Sequence, residues 1–279
     1  MSVLGGGPNT YYRFMIQGYI LSLYFKSFKS NFLNYTISLF FIILSLSTGS
    51  KGALVTLIVV FALQVIFTRY MYMKNKDVIK YILMIMIASI ILWFFRFIIT
   101  EKLTELFPRI GRTMSILSME EMQNATSNIA RLNIIKTSLS MFQNNPVFGW
   151  GPGGYFLVSN RFGIEHVYPH NIFLEILSEY GILCFIFYVS MMIFLVCDIY
   201  FTLNNIKKNK RCKKDNQLFF TLILLFSGYF SASMFSGNII DSRSVFFFIM
   251  LVDIVIGLKY KPDKYIAYEK DDFKNILKR

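Results

Sequence analysis

The sequence predicts an all-α, polytopic membrane helix bundle with one large extracytoplasmic loop containing amphipathic helices, and three observations carry that prediction. Of 279 residues, 55% are hydrophobic and 18% aromatic, with 30 phenylalanines, while only 16% are charged, against roughly a quarter in soluble domains. The apolar residues gather into runs long enough to cross a hydrocarbon core of about 30 Å at about 1.5 Å per residue. The formal net charge of +13 is spread over short segments between those runs, as topology determinants are, which excludes a basic nucleic-acid-binding domain. Cys184 and Cys197 fall inside one apolar run and Cys212 in a Lys-rich loop, a spacing that gives neither a metal site nor a disulfide framework.

The runs follow in order. Tyr11 to Phe25, Phe32 to Ser47, Ala53 to Met73 and Val78 to Ile99 make residues 1–99 a unit of four transmembrane helices. Residues 100–180 carry Pro, Gly, Asn and charge, which argues against a span and predicts a loop domain. Gly181 to Phe201, Leu218 to Phe235 and Ser244 to Leu258 give three more helices within 181–260, and 261–279 is a cytoplasmic tail. The expected total is about seven spans.

Orientation follows from the basic clusters, since cytoplasmic loops are enriched in Lys and Arg. Residues 204–217 hold Lys207, Lys208, Lys210, Arg211, Lys213 and Lys214 against Asp215 alone, which places this loop in the cytoplasm. Alternation then puts Lys26 with Lys29, Lys74 with Lys76, and the tail from Lys259 on the same side. The large loop, nearly balanced in charge, faces outward together with the turn SLSTGSKGAL around Lys51 and the turn SGNIIDSRS with Asn238, Asp241 and Arg243. The amino terminus also falls outside without a cleavable signal pattern before it, which predicts that preceding spans are missing.

Within the loop, TSNIARLNIIKTSLSMFQ places Ile129, Leu132, Ile135, Leu139 and Phe142 three or four apart, the pattern of an amphipathic helix lying along the bundle. Arg131 lies off that stripe, where a solvated side chain is the plain reading. GWGPGG satisfies a dinucleotide-binding pattern by letters, but a helix precedes it where that pattern requires a strand. Its glycines instead allow a sharp turn and close approach to a partner. In YPHNIFLEILSEYG, Pro169 ends the loop and Asn171 caps a helix whose buried side is Ile172, Phe173, Ile176, Leu177 and Tyr180. Glu175, Ser178 and Glu179 share a polar edge expected to face something wet. His170 precedes the helix start, either as a loop cap or as a proton-transfer group, its imidazole being suited to that work near neutral pH. His166 has no helix start beside it, and the intervening Pro169 prevents a helical metal pair.

Three pieces in order, TGSKGAL, the run from Arg131 through NPVFGWGPGGYF, and PHNIFLEILSEYGIL, together resemble the O-antigen ligase and O-antigen polymerase superfamily of bacterial envelope polysaccharide enzymes. His170, Asn171 and Gly181 match the pattern of the last piece; the family usually has a small residue near Cys184. The resemblance implies a GT-C-like bundle in the bacterial inner membrane with its active site facing the periplasm or exterior. It also implies a metal-independent glycosyltransferase that moves a glycan from undecaprenyl pyrophosphate to a sugar hydroxyl, with no metal or nucleotide cofactor and with polysaccharide-assembly partners. His170 is then the catalytic base, and Arg131, Lys51, Arg243 and Asn171 bind substrate. Lys51 stands where the family usually carries arginine, keeping the charge without the forked donors. The activity expected is that of a polymerase of O-antigen, capsule or exopolysaccharide. The alternatives are a ligase that attaches lipopolysaccharide glycan to a lipid core, or a truncated, non-catalytic transport or assembly subunit. Such enzymes typically have about a dozen spans, so the short chain is expected to be a truncated, split or compact form.

Overall fold

The computed structural model describes residues 7–25, 30–72, 105, 126–163, 168–208, 213–235 and 237–260. Every described element is helical. Helices α1 (Pro8–Tyr24), α2 (Asn31–Leu46) and α3 (Lys51–Tyr72) come first, close to the first three apolar runs. The fourth expected run and His166 lie outside the described residues. Then come α4 (Thr126–Asn144), the short α5 (Gly154–Val158) with a 3-10 turn over Ser159–Phe162, α6 (Ile172–Glu175) and a π-helical turn over Ile176–Tyr180. The last three are α7 (Gly181–Lys208), α8 (Lys213–Ser233) and α9 (Arg243–Tyr260).

Among the described residues, one helical run, Ile172–Ile206, is long and apolar enough to cross a membrane, while Asn31–Leu46 and Lys51–Phe67 are shorter apolar helices. Gly181, with φ +75 and ψ −172, breaks helical geometry inside that long run. The length sufficient for a span therefore falls in α7, whose 28 residues reach about 42 Å at about 1.5 Å each. Glu175 and Glu179 precede it.

Helix α8 is central, packing on α1, α3 and α9. Its Phe219, Ile223 and Leu224 bury against Tyr12, Ile16 and Ile20 of α1, Ala53 and Val60 of α3, and Val252 and Ile256 of α9. Two smaller clusters stand beside this core. Ile134, Met141 and Tyr155 join α4 to α5, and Ile172, Ile176 and Tyr188 join α6 and the π turn to α7.

The helix expected from Thr126 is present, but its face is reversed. Ile129, Leu132, Ile135 and Leu139 are exposed, Phe142 is half-buried, and Ile134, Thr137, Ser138 and Met141 face inward. Periodicity shows that a stripe exists; which medium it faces is decided by the surroundings.

Candidate functional site

His170 is the one non-glycine among the described residues with a positive φ, +57. The left-handed region costs an L-residue about 1–2 kcal/mol, so its neighbours must hold it there. Pro169 before it is buried. The Tyr168 ring meets the imidazole edge-on at 4.4 Å between centroids. Asn171 after it caps α6, its Oδ1 accepting from the N–H groups of Phe173 at 2.9 Å and Leu174 at 3.2 Å. Its Nδ2 donates to the Met234 carbonyl at the end of α8, at 3.2 Å. Asn171 thus starts the helix, as its residue type predicts, and also ties that start to the core.

The polar edge of this segment is not wet. Glu175, Ser178 and Glu179 are 5%, 0% and 4% exposed, which corrects the expectation of a solvated face. Ser178 turns its hydroxyl back onto the Leu174 carbonyl at 2.7 Å. The carboxylate of Glu179 accepts from the N–H groups of Gly153 and Tyr155, each at 3.0 Å, and so caps α5. Glu175 reaches the other way, its Oε1 accepting from the Ile239 N–H at 3.0 Å, while its buried Oε2 has no hydrogen-bond partner. Burial pushes the Glu175 carboxyl up to about 7; the Ile239 N–H opposes this, and the charges of Glu179 and Asp241 add to it. Burial also raises Glu179, against the pull of its two backbone donors.

The glycine turn packs backbone to backbone on the same segment. The N–H groups of Trp150, Gly151 and Ile182 donate to the carbonyls of Ser178, Glu179 and Pro146 at 3.1, 2.8 and 2.8 Å. A Cβ on Gly149 would stand 2.4 Å from the Glu179 carbonyl carbon, and one on Gly181 would stand 2.2 Å from the Val147 carbonyl oxygen. Both glycines also have positive φ, +65 and +75. The close approach expected of these glycines is therefore real, and its partner is residues 178–182. A helix, α4, precedes the turn and no strand occurs among the described residues, so the dinucleotide pattern is met by letters alone.

Three further segments gather at the His170 end of the bundle. The turn carrying Asp241 and Arg243 is closed by its own bond from the Asp241 N–H to Asn238 Oδ1 at 2.8 Å. Glu175 holds it at Ile239, and Arg13, a buried arginine of α1, donates to the Asp241 carbonyl at 2.9 Å. The turn before Lys51 is tied to α1 by a bond from Ser50 Oγ to Asn9 Oδ1 at 2.8 Å. Burial raises the Tyr168 hydroxyl, and so do the charges of Asp241 and Glu175, while Arg13 lowers it; this tyrosine stands amid all three.

Of the residues singled out from sequence, His170, Asn171 and the Arg243 turn are linked through Met234 and Glu175, and half-buried Lys51 joins them by way of α1. Arg243 and Arg131 are exposed; α4, which carries Arg131, packs on α6 and the π turn. Sequence reasoning missed Arg13, Tyr168 and the inward role of both glutamates. For Arg13 there was a signal, a lone cation inside an apolar run. No group of three or more His, Cys, Asp or Glu suited to a metal occurs among the described residues.

Comparison with curated proteins and with solved structures gives no match. A family model described as O-antigen ligase matches residues 33–189, more than half of the 279 residues. The matched stretch runs from α2 into α7 and contains Lys51, Arg131, the glycine turn, His170 and the two buried glutamates. Because that match covers more than half of the chain, the chain belongs to the O-antigen ligase family of membrane-integral, glycosyltransferase-like enzymes.

Proposed function

We propose that the chain is a polysaccharide polymerase of the bacterial inner membrane. It extends a glycan carried on undecaprenyl pyrophosphate by transferring it to a sugar hydroxyl of a second lipid-linked repeat, on the extracytoplasmic side. The observation that carries this reading is His170, held at φ +57 between a ring contact and a capped helix start. Backbone strain of this kind persists where surrounding structure fixes it, and it clusters at functional sites.

The chemistry assigns each residue a task. The acceptor hydroxyl loses its proton to the His170 imidazole as its oxygen attacks the anomeric carbon. The bond from that carbon to the pyrophosphate oxygen breaks, and the lipid pyrophosphate departs with the electron pair. Arg131 and Arg243 offer forked donors to the phosphate oxygens, and Lys51 offers a point charge. Each is worth most where charge develops in the transition state. Asn171 holds the helix start through its cap on Phe173 and Leu174, and so positions His170. No step requires a metal or a nucleotide.

His170→Ala and Arg131→Ala should each abolish chain extension in cells while leaving membrane levels of the protein unchanged. Normal polysaccharide ladders in both would reject the proposal. A lipid-linked repeat unit supplied without any lipid core separates the two activities of the superfamily, because a polymerase elongates it and a ligase does not.

A further inference from the structure

Helix α4 is amphipathic the wrong way round for water. Its inward face includes Thr137 and Ser138 beside Ile134 and Met141, whereas Ile129, Leu132, Ile135 and Leu139 are 56%, 57%, 40% and 41% exposed. Apolar surface left in water costs about 25 cal/mol per Å², so this orientation is favoured only where the outside is as apolar as the stripe. At about 100° per residue, exposed Arg131 and Lys136 flank Leu132, Ile135 and Leu139 on opposite sides. Long cationic side chains in that position extend from an apolar face toward headgroup phosphates.

The level of this face is fixed by the lock at Gly181. The Ile182 N–H is bonded to the Pro146 carbonyl at 2.8 Å, which sets Val147 and Phe148, 44% and 75% exposed, beside the first turn of α7. That helix is the one among the described residues that is long and apolar enough to cross a membrane, and its Leu183, Ile186 and Phe187 are exposed too. The apolar surface of α7 therefore continues onto the Val147–Phe148 corner, and α4 ends at Asn144, just before that corner.

We infer that α4 and the Val147–Phe148 corner form an interfacial anchor, lying in the headgroup and upper acyl region of the leaflet on the His170 side. The occupant of the exposed stripe is lipid. The anchor keeps the glycine turn, and with it His170, at the level of the headgroups. This assignment stands independently of the glycosyl-transfer reading.

The test uses the full chain with Cys184, Cys197 and Cys212 replaced by alanine, reconstituted in vesicles of phosphatidylethanolamine and phosphatidylglycerol. Leu132→Cys, Leu139→Cys and Phe148→Cys are each labelled with an environment-sensitive fluorophore, and Asn160→Cys, at an exposed position after α5, serves as the water-facing reference. Lipids spin-labelled near the headgroup should quench the first three labels and leave the reference bright, while aqueous iodide should do the reverse. Iodide quenching at positions 132 and 139 equal to the reference would put the stripe in water and overturn the inference. Protection from both quenchers would mean that protein covers the stripe, which overturns it equally. Three probe positions keep the outcome readable if one variant fails to insert.

Discussion

Replacing Gly181 with alanine perturbs the lock between the glycine turn and the start of α7 at its tightest point. Two effects add there. The backbone has φ +75, where an L-residue costs about 1–2 kcal/mol. The new Cβ would also lie 2.2 Å from the Val147 carbonyl oxygen and 2.5 Å from its carbon, so the backbones must part. Such overpacking costs about 1–3 kcal/mol, and parting weakens the Ile182 to Pro146 bond, worth about 1 kcal/mol. A loss of about 3–6 kcal/mol follows. Gly151→Ala isolates the first effect, since Gly151 has φ +82 but nothing within 4 Å of its would-be Cβ; it should lose only about 1–2 kcal/mol. At about 2–4 °C per kcal/mol, heating the detergent-purified chain should lower the unfolding midpoint by about 6–24 °C for Gly181→Ala and about 2–8 °C for Gly151→Ala. Equal shifts in the two variants would refute the argument from close approach.

Other substitutions test neighbouring parts of the site. Asn171→Ala should destabilise by about 1–2 kcal/mol through loss of the cap; Asn171→Asp, which keeps the acceptor but not the donor to Met234, should fall between it and wild type in the same melts. Glu179→Ala leaves the N–H groups of Gly153 and Tyr155 without their acceptor, at about 1–3 kcal/mol for a buried donor, and should open residues 151–158 to limited proteolysis, with Glu179→Gln opening them less. Glu175 makes stability depend on pH. Its carboxyl is pushed up to about 7 from an ordinary 4.5, so the folded chain holds a proton that the unfolded chain releases. The stabilisation Glu175 contributes is fully present below about 4.5 and is lost as pH rises through about 7, roughly 3 kcal/mol in all. Glu175→Gln should flatten that slope in unfolding measurements across the same window, and an unchanged slope would remove Glu175 as its source.

The helices were legible because apolar runs and capping residues are local signals. Asn171 announces a helix start by residue type, and the glycines of the turn announce a tight backbone approach, though not the partner. What stayed hidden depends on contacts distant in sequence. A periodic stripe such as that of α4 reads the same whether it faces a core or a bilayer. Glu175 and Glu179 look like a solvated edge because their partners are backbone N–H groups, which every non-proline residue carries and which leave no mark in the sequence. Arg13 was visible as a cation in an apolar run, but its link to the turn before Arg243 spans |i−j| = 228.

The opposed reach of the two glutamates also sets an order of assembly. Glu179 takes its partners from positions 24 and 26 residues earlier, already present when it is made. Glu175 takes its partner from a position 64 residues later, beyond the whole of α7 and α8. During synthesis the glycine turn can dock as soon as the His170 helix emerges, but the other side of that helix must wait for the turn before α9. The His170 end is therefore finished late, by a contact that closes a long loop and is correspondingly slow to form.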